Sequence, residues 1–236
     1  MKSNETTALG RLSSRLKEVL SRASFGATAS SDAHVIFETA DLALEDVWKL
    51  YERDSTCKSS VDLLAAGTVG MGFYTTVNEN YERADEAKAA VDGFCEDVNL
   101  DSLLNDMARR LIACGNDFWL KLTPDRLTDV ARLPLDAVEK VALEKIEGFE
   151  IPLRAKGYVL KGTFCENRGL GENARTLKPE AVIHWRLNSK HNGGLGVGLL
   201  QVLLHTLTVS GSKRESYVWM KAKIERIMPR IFEKYA

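Results

Sequence analysis

A helix pattern and a strand pattern follow in immediate succession between Asn99 and Leu122, and no other stretch restricts the fold as tightly. Leu100, Leu103, Leu104, Met107, Ala108, Leu111 and Ile112 recur at the i, i+3, i+4, i+7 spacing of one helix face, which leaves Asp101, Asn105, Asp106, Arg109 and Arg110 outside. Asn99 stands at the N-cap position, and Gly115 stands where a helix ends most cheaply, because glycine reaches positive φ without a Cβ clash. Phe118, Leu120 and Leu122 then alternate as on a half-buried strand, before a turn at Thr123-Pro124-Asp125. A core-facing helix feeding a strand within two or three residues requires helices and sheet in one fold.

The rest of the chain extends that mixture. His34 to Glu38 reads as a short strand, and Leu42 to Arg53 as a helix with Val47, Leu50 and Tyr51 on one face. Val61 to Ala66 continues as helix and is expected to stop at Gly67, after which Phe73 to Val77 has the aromatic and β-branched content of a strand. Further strands are expected at Ala137 to Leu143, Gly157 to Phe164 and Ala181 to Leu187, with a polar loop at Arg168 to Arg175. A Gly-rich turn at Asn192 to Gly198 leads into a helix bearing Leu199, Leu200, Leu203, Leu204 and Leu207. Strands and helices do not alternate regularly, so the class is α+β. Residues 1–31 read as a mobile arm, 32–212 as the α+β domain, and 213–236 as an amphipathic helix interrupted at Pro229. That last helix ends without a cap, which leads us to expect further sequence or a covering partner.

Charge is unevenly spread. Residues 1–31 carry +3, residues 32–106 carry −12 and residues 107–236 carry +8, for an overall −1. Such blocks suit either two solvated faces or a contact between copies of the chain. No run approaches the about 18 to 20 apolar residues of a membrane-spanning helix, and residues 1–31 lack the apolar centre of a secretory signal. Cys57, Cys95, Cys114 and Cys165 form no CxxC pair, so reduced and mostly buried thiols in an intracellular compartment are expected.

Motifs that carry chemistry are scarce. None of the 17 glycines precedes a lysine, which excludes a Walker A phosphate loop. Gly194-Leu195-Gly196-Val197-Gly198 has GxGxG spacing, one residue short of a dinucleotide fingerprint, and reads better as a tight turn into a helix. His34, His184, His191 and His205 form neither HExxH nor a Cys–His zinc pattern, so no metal or cofactor is expected. His184 beside Trp185 reads as an ordinary strand histidine. No GxSxG elbow occurs, and the carboxylates are too dispersed to single out an acid and base pair. Arg109 and Arg110, with Lys221, Lys223, Arg226 and Arg230, are the candidates for touching phosphates without reading bases, against the plainer reading of solvated helix faces.

The order of several elements nevertheless resembles a known family. Val61-Asp62-Leu63-Leu64-Ala65-Ala66 with Gly70-Met71-Gly72-Phe73 comes first, and the Leu-rich helix running into Gly115-Asn116-Asp117-Phe118 follows. Leu133-Pro134-Leu135-Asp136-Ala137-Val138, Val182-Ile183-His184-Trp185-Arg186 and Gly196-Val197-Gly198-Leu199-Leu200 complete the order. From about Val61 to Lys213, this arrangement is similar to the portal proteins of tailed bacteriophages and viruses. The resemblance implies a wing-like region of mixed helices and short strands ending in a helix that approaches the stem, with the clip, return stem helix and crown absent or supplied elsewhere. It implies a structural subunit, not an enzyme, in a ring of usually twelve copies at the capsid vertex of the virion, assembled in the host cytoplasm. The ring would pass double-stranded DNA non-specifically, dock the terminase large subunit, and meet the major capsid, scaffold and head-tail connector proteins. Gly115, Asn116, Pro134 and Gly196 to Gly198 would then serve the fold, with no catalytic, cofactor or metal residues. The rival reading is a proviral or host enzyme, or a nucleic-acid-binding domain, that shares the layout.

Overall fold

A computed structural model describes residues 20, 35–70, 72–78, 82–123, 129–144, 154–169, 175–189 and 193–209. The arm over 1–31, apart from Leu20, and the helix expected over 213–236 lie outside these residues, as does most of the polar loop at Arg168 to Arg175. The fold is α+β, and it divides into two compact units. One comprises 42–116, 186–188 and 196–236, and its described part is mainly helical. The other comprises 1–41, 117–185 and 189–195, and holds nearly all of the strand structure.

In the helical unit, α1 (Leu44–Arg53) buries Leu44, Val47 and Tyr51, positions i, i+3 and i+7 of one stripe. Glu45 and Asp46 stand in the first turn and Arg53 in the last, complementing the helix dipole. Asp54 ends α1 and caps α2 (Ser55–Val69), accepting from the Cys57 N–H at 2.8 Å. Helix α2 runs through Gly67 to Val69, two residues beyond the stop expected from the sequence. Gly67 is exposed, and a Cβ there would meet nothing within 4 Å, so it costs the helix about 1 kcal/mol and does not break it. Residues 72–78 are not a strand, although their composition favours one. A strand exists through its pairing, and among the described residues nothing pairs with this exposed segment.

Helix α3 (Ala84–Asp97) is joined through Val98 and Asn99 to α4 (Leu100–Cys114). Asn99 occupies the predicted cap position but its side chain makes no cap hydrogen bond: it lies at φ 48°, in the left-handed region, in the link between the two helices. Only the C-terminal half of α4 lies deep, through Met107, Ala108, Ala113 and Cys114. Helices α1, α2, α4 and α6 (Leu199–Val209) pack against one another, while α3 lies on α4 and buries no residue. Val47, Val61 and Leu200 are buried there, each worth about 1.5–3 kcal/mol.

The β unit contains two sheets. Strands β1 (Val35–Glu38), β4 (Val138–Glu144), β5 (Arg154–Leu160) and β6 (Thr176–Leu177) form an antiparallel sheet in the order β1-β4-β5-β6. Strands β2 (Asn116–Lys121), β3 (Val130–Arg132) and β7 (Val182–Arg186) form the second, in the order β3-β2-β7. The sequence predicts a half-buried β2, yet the strand is buried from Asn116 to Leu120. It is the central strand of three, and both of its faces are covered. Phe118 stacks on His184 with ring centres 4.4 Å apart, while its neighbour Trp119 meets Trp185 edge-on at 5.5 Å on the opposite face.

The extended stretch expected to reach Phe164 ends at Leu160, and Gly162–Glu166 forms the short helix α5. Phe164 and Cys165 are both buried. The strand expected from Ala181 is preceded by a 3-10 turn over Pro179–Ala181.

All four cysteines are free thiols; Cys57, Cys114 and Cys165 are buried and Cys95 is half-buried. Burial, helped by the negative charge of Asp54, pushes the Cys57 thiol up to about 12. Burial also raises Cys165, against the pull of Arg175 and Arg168. A raised thiol is a poor nucleophile at neutral pH. Titration of the native protein with a disulfide reagent is therefore expected to label Cys95 first and the other three only on unfolding; fast labelling of Cys57 would contradict this packing.

Candidate functional site

The residues singled out by the sequence separate into three places. The first is a junction within the helical unit, where α4 ends and α6 begins. Gly115 ends α4 at φ 76°, with its N–H bonded to the Leu111 carbonyl at 2.8 Å. Its own carbonyl accepts from Leu187 N–H at 2.9 Å, and the Leu187 carbonyl accepts from Val197 N–H at 2.7 Å. Asn116 completes the junction. Its Nδ2 donates to the carbonyls of Cys114 and Gly196, at 3.0 and 2.9 Å, and its Oδ1 accepts from Gly196 N–H at 2.7 Å. One fully buried amide thus satisfies three backbone groups, two of them on a segment 80 residues away. A Cβ on Gly196 would stand 2.0 Å from the Gly115 carbonyl oxygen, so the chains meet at backbone distance. The GxGxG element is a packing device, as expected for a tight turn into a helix.

The second place lies within the β unit and was missed in the sequence. Asp117 is fully buried, and its carboxylate accepts from Trp119 Nε1 at 2.7 Å and from Arg132 Nε at 3.1 Å. Trp119 and Arg132 are register partners on β2 and β3, so strand pairing itself brings the guanidinium to the acid. A pairing 15 residues apart across a turn left no periodic signal. Pro134 sits just beyond, in the turn closed by Ala137 N–H on its carbonyl at 3.0 Å.

The third place is the exposed side of the helical unit. The phosphate candidates Arg109 and Arg110 do not project freely. Arg109 Nε donates to Asp62 at 2.8 Å and one of its terminal nitrogens to Asp106 at 3.0 Å, while the Arg110 guanidinium lies 5.7 Å from the Trp48 ring centre. Asp62 also accepts from the Tyr51 hydroxyl at 2.7 Å. Burial and this carboxylate push the Tyr51 phenol up to about 12. Its neutral form is the one the fold holds, and that contribution is complete below the unfolded value near 10 and is lost as the pH rises from there through about 12. Asp62, Tyr51 and Arg109 tie α1, α2 and α4 together, and two carboxylates already hold the guanidinium that a phosphate would need.

His184 is embedded between Phe118 and Tyr158, as a strand histidine. His205 is exposed; His34, His191, Lys221, Lys223, Arg226 and Arg230 lie outside the described residues. Among the described residues no group of three His, Cys, Asp or Glu side chains could hold a metal, and no helix is long and apolar enough to cross a membrane. Comparison with protein-family models, with curated proteins and with solved structures finds no match for this chain.

Proposed function

We propose that this chain is a wing-type subunit of a viral portal ring, a structural part of the conduit through which a genome is packaged and released, with the terminase motor as a separate docked partner. The observation that carries the reading is the Gly115-Asn116 junction with Gly196-Val197-Gly198. These are two of the elements on which the resemblance rests, and their side chains and missing side chains are spent on joining backbones. Motifs used in this way favour a structural role over a catalytic one, which would have spent them on a reacting group. The acidic and basic blocks of the chain also suit head-to-tail contacts between copies, the kind of interface that closes into a ring.

The test is the state of the purified full chain, by native mass spectrometry and negative-stain imaging. A closed ring of about a dozen copies is expected. Its binding to duplex DNA should ignore base sequence and weaken steeply with salt. A monomer stabilised by a nucleotide, or sequence-selective DNA binding, would instead support an enzyme or a nucleic-acid-binding domain and overturn the portal reading.

A further inference from the structure

Two stretches of strand-favouring backbone lack a partner among the described residues, one in each unit. The first follows α2. Burial alternates along 74–78, with Thr75 and Val77 half-buried while Tyr74, Thr76 and Asn78 are exposed, Tyr74 at 87%. A period of two is that of an extended chain. The Thr75 hydroxyl ties the inward side to Asp92 on α3. Phe73, Tyr74, Thr75, Thr76 and Val77 all favour strands, yet among the described residues no backbone group of 73–77 is bonded to another backbone group. This segment has the composition and the alternation of a strand and lacks only the neighbouring ladder.

The second stretch is the outer edge of β1. Strand β4 occupies its other side through four consecutive pairs, Val35↔Glu144 to Glu38↔Val141, and β1 ends the sheet. Edge strands are normally kept from pairing by a cation, a proline, a bulge or extreme shortness. Among the other edges, β3 carries Arg132, β7 ends on the exposed Arg186, and β6 has two residues. Strand β1 has no cation, no proline and an unbroken register, and its acid Glu38 accepts from Leu195 N–H at 3.3 Å. Among the described strands it alone exposes large apolar side chains, Ile36 at 40% and Phe37 at 58%. These are consecutive and so stand on opposite faces of the sheet. Only a strand added in the plane of the sheet places neighbours beside both at once.

Residues 63–78 contain no Asp, Glu, Lys, Arg or His, so a strand from this segment sets no charge against Ile36 or Phe37. It offers Tyr74 and Thr76 on one face and Thr75 and Val77 on the other, the aromatic and β-branched neighbours that such a pair favours. Neither stretch is paired in the described chain, which leaves each to another copy. We infer that residues 73–77 of one copy add as an outer strand to the β1 edge of a second copy, extending its four-stranded sheet by one. Main-chain hydrogen bonds hold this contact, and the alternating side chains select it. The donating and receiving sites differ, so the contact runs head to tail. It names the joint of the proposed ring and rests on that reading for closure alone.

The test uses the full chain, with sedimentation velocity and amide hydrogen exchange. Unmodified protein should assemble as its concentration rises, and the amides of both 35–38 and 73–77 should exchange more slowly in the assembled form than in dilute monomer. Phe37→Lys puts a cation on the receiving edge, and Thr76→Pro removes a donor from the added strand. Each should weaken assembly by about tenfold or more, with circular dichroism unchanged. Mixed together, the two variants should form a one-to-one pair, because the first retains a good strand and the second a good edge. Assembly that ignores both substitutions, amides that gain no protection, or variants that do not complement would overturn the inference and leave the ring reading intact. Assembly through these strands that stops at a reciprocal dimer would support the inference and overturn the ring. An unmodified chain that stays monomeric at every concentration would overturn both.

Discussion

Gly196→Ala is expected to cost more than about 3 kcal/mol, enough to unfold much of the helical unit at room temperature. The new Cβ would stand 2.0 Å from the Gly115 carbonyl oxygen and 2.6 Å from that of Leu187. Neither oxygen can retreat. The Gly115 carbonyl is held by Leu187 N–H and the Leu187 carbonyl by Val197 N–H, while Asn116 grips Gly196 from both its N–H and its carbonyl. Moving the backbone to make room would break several buried hydrogen bonds together, each leaving a polar group orphaned at about 1–3 kcal/mol. Urea unfolding followed by circular dichroism checks this, with Gly67→Ala as the internal control. Gly67 has nothing within 4 Å of a Cβ and lies in helical backbone, so that change should stabilise by about 0.5–1 kcal/mol. Equal effects at the two glycines would show that the junction is not packed as described.

The second large effect is expected at Asp117. Asp117→Ala removes the carboxylate from a fully buried site, leaving the Trp119 indole N–H without its acceptor and the Arg132 guanidinium, 16% exposed, without its counter-charge. Breaking one side of a buried pair costs about 3–5 kcal/mol, whereas replacing both partners by apolar groups of similar volume is often neutral. The double variant Asp117→Leu with Arg132→Met should therefore recover most of the loss, apart from the indole hydrogen bond, worth about 1 kcal/mol. Thermal melts of the four proteins form a double-mutant cycle that reads the coupling directly. Additive losses would mean that the two side chains do not act as a pair.

Asp117 was invisible in the sequence for an identifiable reason. Its neighbours Phe118, Leu120 and Leu122 alternate as if one face met water, and an aspartate one step out of phase belongs on the wet face of such a strand. The second face of β2 is dry because Trp119 and Trp185 meet there, and their pairing depends on strands brought together across the fold. Arg109 is the complementary case. Its place outside the apolar stripe of α4 is legible in the sequence, and it lies half-exposed as expected, but its commitment to Asp62 on α2 depends on how two helices pack. The glycines were legible as a turn, though not as the point where α4 meets the start of α6. Residues 72–78 went the other way, since strand composition without a neighbouring strand yields no strand.

Local periodicity set the α+β class, most helix and strand positions and the helix end at Gly115, because spacing and capping act over one or two turns of chain. Long-range packing alone decided that Asn116 closes on Gly196, that Asp117 is buried against Arg132, and that α3 is left without a buried face. Those outcomes depend on which segments, tens of residues apart, come within hydrogen-bond or contact distance, and no window of sequence carries that information.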